Sequence, residues 1–280
     1  MSSPAQTVLL LLFLCVIPST RALAYCMNDW ACVDIIETED KIEFWLRNNK
    51  AYPITSTLEV ESHNLSPSTP SNKPSNKPSN NHHTETHVLQ GFQRILALSL
   101  VATHPQLPTR YADGFNWAPG NMHAQHDIHY RYFLPYKKGE YYPIVQGFGG
   151  GYSHQGASRY AIDIAMPVGT PVHAAREGVV IDVVEKHNRG GASRRYAQYA
   201  NYVVILHSDD TTGEYYHLKK NGAKVEVGDT VVAGQAIAYS GNSGFSSLPH
   251  LHFAVYKAQS HGNYQSLPIE FNEKISQPRW

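Results

Sequence analysis

From Pro143 onward no long stretch of the sequence has helical periodicity. Short alternating runs such as YAIDIAM, YVVILH, GEYYHL and LHFAVYK are separated by turns rich in glycine, aspartate and asparagine. A chain that reverses this often cannot build long helices, and side chains two apart in each run share a face. This half therefore reads as a compact, nearly all-β domain over residues 139–280.

The preceding half is also β-rich. VDIIETE, KIEFWLRN and STLEVESHN alternate and are broken by polar turns, VLQGFQRILALSLVATHP returns to strand-like composition, and HDIHYRYFLPY reads as a closing strand. Residues 25–138 are expected to form an immunoglobulin-like β-sandwich module. A tandem SNKP repeat without apolar residues interrupts it, and a disordered insertion is expected at about 65–84.

Lys+Arg and Asp+Glu both total 23 in 280 residues, so no basic stripe points to nucleic acid. The run VLLLLFLCVI followed by PSTRALA has the length and small-residue ending of a secretory signal, expected to be cleaved after Ala24. The apolar run is short for a membrane span. The expectation is an exported protein, periplasmic or secreted, without stable membrane insertion after cleavage. Cys15 leaves with the signal, and Cys26 and Cys32 are then expected to pair in an oxidising compartment.

The chemistry concentrates in the second half. In LPHLHFAVYK, strand alternation puts His250, His252 and Ala254 on one face and the apolar Leu251, Phe253 and Val255 on the other. Asp163 in YAIDIAM lies between alanines on a strand face, where a buried carboxylate needs a cationic partner such as Arg159 or Arg176, or a metal. His154 and His217 complete a set of four imidazoles and one carboxylate. Two histidines and one carboxylate would satisfy a tetrahedral catalytic zinc with one open position, leaving two histidines to support the ligands or to move protons. HExxH is absent. The spaced histidines His123, His126 and His129 fall in a region read as a strand, which would send His126 to the opposite side from the other two.

The ordered motifs SHQGASRYAIDIAMPVGTPV, YYHL, GDTVVAGQAIAYSGNSG and PHLHF resemble the lysostaphin-type zinc metallopeptidases, the group that includes the LasA and β-lytic enzymes. The resemblance covers residues 143–257. It implies a small open β-sandwich of the duplicated hybrid motif type, with a groove across a sheet. It implies one zinc ion held by His154, Asp163 and His252, with His217 and His250 lining the site and handling protons. The eight residues between His154 and Asp163 exceed the three found in many members, which bears on loop geometry more than on ligand identity. The implied activity is an endopeptidase acting on stem peptides or cross-links of peptidoglycan; the alternative is a non-catalytic cell-wall-binding or regulatory member. Tyr152, Tyr215, Tyr216 and Phe245 are candidate groove walls.

Overall fold

The computed structural model describes residues 20–68 and 80–273. Among them, helix is confined to two 3-10 turns, Gly156–Ser158 and Arg194–Tyr199; the rest of the regular structure is β.

Eight strands build the N-terminal half: β1 (Arg21–Met27), β2 (Ala31–Glu37), β3 (Lys41–Asn48), β4 (Ile54–His63), β5 (Leu65–Pro67), β6 (Asn80–Leu89), β7 (Arg94–Ala102) and β8 (Arg110–Pro119). They form a five-stranded sheet in the order β1-β2-β3-β7-β5 and a three-stranded sheet in the order β6-β4-β8. Val33, Phe44 and Leu46 from the first sheet and Ile54, Leu58 and Phe115 from the second enter one core. Cys26 and Cys32 are directly paired across the β1–β2 hairpin and joined by a disulfide.

Two expectations change here. The expected insertion at 65–84 is narrower at both ends, because residues 65–67 and 80–84 lie in β5 and β6; residues 69–79 of the SNKP tract are outside the described residues. The three-stranded sheet is completed by β8, paired with β4 from Arg110 opposite His63 to Pro119 opposite Ile54. HDIHYRYFLPY instead contributes only Arg131–Tyr132, which pairs in parallel with Glu270–Phe271. Its tyrosines are drawn into the other core: Tyr132 and Tyr136 pack with Ile164, Tyr215 and Phe253. The alternation of Ile128, Tyr130, Tyr132 and Leu134 did not distinguish a strand from a loop anchored by two tyrosines.

The second half is organised by one eight-stranded sheet. Its main path runs Ile144–Gln146, Ile162–Ile164, Leu251–Ala258, Thr212–Tyr216, Tyr202–Leu206, Gly178–Val184 and Thr230–Val231, with Tyr264–Ser266 added to the free part of Leu251–Ala258. One face carries Ile162, Ile164, Leu251, Phe253, Val255 and Tyr215 into the core. Removing a side chain such as Phe253 from water contributes about 1.5–3 kcal/mol. A smaller sheet of Pro171–His173, Ala236–Ser240 and Leu218–Ala223 accompanies the main one.

The opposite face of the main sheet is shared. At one end it bears Asp163 and His252; at the other, Ile181 and Val204 join the apolar core of the N-terminal sheets, with Tyr202 and Leu206 packed against it. The two halves are thus packed against one another through an apolar contact.

Candidate metal and catalytic site

Asp163 and His252 are register partners on adjacent antiparallel strands. Because Ile162 and Phe253 point into the core, alternation puts the carboxylate and imidazole together on the groove face. His252 Nδ1 lies 2.8 Å and His154 Nε2 3.1 Å from Asp163 Oδ1. The three donor atoms all lie within 4.8 Å of one another. Asp163 is thus explained by neither Arg159 nor Arg176; Arg176 pairs with Asp209 at 2.7 Å.

His154 arrives from the glycine loop rather than a strand. Its Nδ1 donates to the Gly147 carbonyl at 2.9 Å, which leaves Nε2 with its lone pair toward Asp163. The Gln146 amide nitrogen donates to Asp163 Oδ2 at 3.0 Å, and its carbonyl accepts from the Tyr152 and Ser153 backbone. A Cβ at Gly150 would stand 2.2 Å from Gln146 Cγ, so glycine there makes room for this side chain. Gln146 was not singled out from the sequence; only its pairing with Asp163 across the sheet brings it to the site.

His217 and His250 stand behind the ligand set, their rings 4.6 Å apart between centroids. His217 Nδ1 donates to the Ser243 carbonyl at 2.7 Å, and His250 Nδ1 donates to the Leu248 carbonyl at 2.7 Å. Each ring therefore offers a bare Nε2; that of His250 is 3.6 Å from Asp163 Oδ1. His217 has φ 66°, an unusual backbone state for a non-glycine residue, between Thr212–Tyr216 in the main sheet and Leu218–Ala223 in the small one.

The electrostatics follow from this crowding. Burial pushes the Asp163 carboxyl up, but the imidazoles of His154, His252 and His250 gathered around it outweigh burial and hold the group well below the usual range. Burial, then repulsion from His250 and His252, pulls His217 down to about 3. Burial also lowers His250. His217 is therefore neutral across the ordinary pH range, with the Nε2 lone pair uncommitted.

The donor set fits a borderline divalent cation: two imidazole nitrogens and one carboxylate oxygen converge, with outer hydrogen bonds from His154 to Gly147 and from Gln146 to Asp163 fixing their orientation. The site opens into a groove of about 450 Å³. Tyr152 and Phe245 stack at its side with ring centroids 5.5 Å apart, and Tyr216 lines its floor. Tyr215 does not line the groove. It alternates with Tyr216 on the same strand, is fully buried, and its hydroxyl accepts from the Ala175 amide at 2.7 Å. His123, His126 and His129 form no ligand cluster among the described residues; His126 instead faces Asp209 at 3.6 Å.

Residues 157–264 match the model of Peptidase family M23. The C-terminal half contains a Peptidase M23 domain. The matched segment of this M23 domain holds Asp163, His217, His250 and His252; His154 lies just before it. The chain is 35% identical over 138 residues to the glycyl-glycine endopeptidase ALE-1 of Staphylococcus capitis, covering 49% of this chain and 33% of that protein. It is 35% identical over 132 residues to lysostaphin of Staphylococcus simulans, covering 46% and 23%. With the peptidoglycan DD-endopeptidase ShyA of Vibrio cholerae serotype O1 it shares 39% over 93 residues, covering 33% and 19%. The chain thus spans a third or less of the length of these relatives. A solved structure of lysostaphin from S. simulans aligns with TM-score 0.34 at 30% identity, covering 45% of this chain and 47% of that one.

Proposed function

We propose that this chain is an exported zinc-dependent endopeptidase that hydrolyses peptide bonds in the stem peptides or cross-links of peptidoglycan. The observation that carries this reading is the convergence of His154, Asp163 and His252 on one point, with the bare Nε2 atoms of His217 and His250 beside it. The relatives named as glycyl-glycine and DD-endopeptidases support the substrate class.

His154 Nε2, Asp163 and His252 Nδ1 would hold the zinc. Bound there, zinc would supply Lewis acidity and lower the pKa of a water to about 7. His217, kept neutral by burial, accepts a proton at Nε2 while its Nδ1–H stays committed to the Ser243 carbonyl. His250, fixed by the Leu248 carbonyl, presents a second bare Nε2 that can take the same part, and whichever ring accepts the water proton returns it to the leaving amine. Once protonated, either ring stabilises negative charge developing on the scissile carbonyl. Gln146 and Gly147 orient the ligands and take no proton.

Export is part of the same proposal. Residues 1–19 are outside the described residues. Cleavage after Ala24 would remove the first four residues of β1 and leave Tyr25–Met27 tied to β2 by the Cys26–Cys32 disulfide. No helix among the described residues is long and apolar enough to cross a membrane.

The test is metal content of the purified protein by mass spectrometry, with release of muropeptides from purified peptidoglycan measured with and without a chelator. Stoichiometric zinc with chelator-sensitive release is expected. Release that persists after complete metal removal would overturn the zinc mechanism, and metal-loaded protein that releases nothing would overturn the endopeptidase reading.

A further inference from the structure

The groove does not end at the edge of the M23 domain. Glu214, Tyr216, Tyr256 and Tyr264 line both the catalytic groove and a second cavity of about 180 Å³. The far wall of that cavity is Trp30 and Trp117 of the N-terminal half, stacked with centroids 4.8 Å apart and planes at 15°. The register explains this continuity. His252 faces Tyr216, Ala254 faces Glu214, Tyr216 faces Tyr202, and Val204 faces Asp182, so one sheet face runs from the metal ligands to the tryptophans. Asp182 lies three strands across and two residues along from His252, about 16 Å at ~4.8 Å per strand and ~3.3 Å per residue, a span covered by about five residues of extended peptide.

The charged residues that line this cavity are Glu214 and Asp182, with the Lys50 ammonium over the Trp30 ring. Glu214 is buried, and each of its oxygens accepts one hydroxyl hydrogen bond, from Thr212 at 3.1 Å and Tyr216 at 3.0 Å. Burial pushes the Glu214 carboxyl up to about 7; its ionised form has about four acceptor positions, so capacity remains on both oxygens for a cationic guest, which would favour that form. No ion pair reaches Glu214 among the described residues. Asp182 accepts from the Tyr202 hydroxyl at 3.0 Å and feels the charge of Lys50, which lies 5.5 Å from the Trp30 ring centroid. A carboxylate at the bottom of an aromatic-walled cavity is matched by a primary ammonium group, which can be hydrogen-bonded below and held over ring faces at the sides.

We propose that the N-terminal module completes a terminal subsite of the groove, walled by Trp30 and Trp117 and floored by Glu214, that receives the ammonium group of a substrate side chain. The inference rests on the peptidase reading only for the peptide nature of the guest. The N-terminal half is then part of the substrate-binding surface.

The test uses the full chain and two N-terminally acetylated pentapeptides of sequence AAKAA, one with the free lysine side chain and one with it acetylated. Their dissociation constants are read by nuclear magnetic resonance from the Trp30 and Trp117 indole signals. The free form is expected to bind about tenfold tighter, with the ratio falling to about one in Glu214→Gln. Equal binding of both peptides by the unsubstituted protein overturns the subsite whether or not Glu214→Gln folds. A ratio unchanged in folded Glu214→Gln also overturns it. Muropeptide release by the same preparation separates the two readings: preference without release removes the peptidase proposal and leaves the ammonium subsite standing.

Discussion

His252 Nδ1 and Asp163 Oδ1 lie 2.8 Å apart because Asp163 and His252 are direct partners in an antiparallel register. A register slip of one residue would turn the imidazole into the core and Phe253 into the groove. The ligand set is therefore held by the same alternation that packs the hydrophobic core.

Loss of any one ligand should abolish metal retention. Asp163→Ala, His252→Ala and His154→Ala are each expected to purify without stoichiometric zinc and without muropeptide release. Mass spectrometry on the folded variants decides it; zinc retained at full stoichiometry in all three would remove this cluster as the metal site.

Gln146 should tune the metal without binding it. Gln146→Ala removes the donor at 3.0 Å from Asp163 Oδ2 and should weaken zinc affinity by about 10–100-fold. Competition against a chelator of known affinity measures this, and an unchanged competition curve would show that the carboxylate needs no outside support.

His217 should separate chemistry from metal binding. His217→Ala is expected to keep zinc while turnover falls by about 10²–10⁴-fold. Parallel metal analysis and initial rates make the distinction; full turnover would exclude this imidazole from proton transfer.

Acid sensitivity should arise in part away from the groove. His207 is buried, its Nδ1 donates to the Glu177 carbonyl at 2.8 Å, and its Nε2 has no partner. Burial pulls it from 6.5 to about 4; Arg176 adds to this, while the Glu177 carbonyl and the charges of Asp209 and Glu177 oppose it. The unfolded chain then binds the proton better, so this contribution is complete above pH 6.5 and is lost as pH falls toward 4. Its full size is on the order of 3 kcal/mol. Denaturant unfolding at pH 7 and pH 4.5 should show a smaller acid loss in His207→Phe than in the parent, and equal losses would assign the sensitivity elsewhere.

The strand faces could be read without any fold in hand, and the quoted motifs carried the resemblance to the lysostaphin-type peptidases. Side-chain direction alternates with period two whatever the surroundings, so His250 and His252 could be assigned to one face and Phe253 to the other without coordinates. The short spacing of Cys26 and Cys32 likewise pointed to a pair, which the β1–β2 hairpin brings together. β8 was less legible because Asp113 interrupts the aromatic series Tyr111, Phe115 and Trp117, and Gly114 stands in the middle of RYADGFNWAP.

Which faces meet became visible only in the folded chain. Gln146 and Asp163 are seventeen residues apart, and Trp30 and Glu214 belong to different halves of the chain; neither pair has a local signal. Tyr215 and Tyr216 looked equivalent as aromatic residues, yet one is in the core and the other in the groove. Register and the apolar contact between the halves bring these residues together, and both depend on long-range packing that no local window of sequence contains.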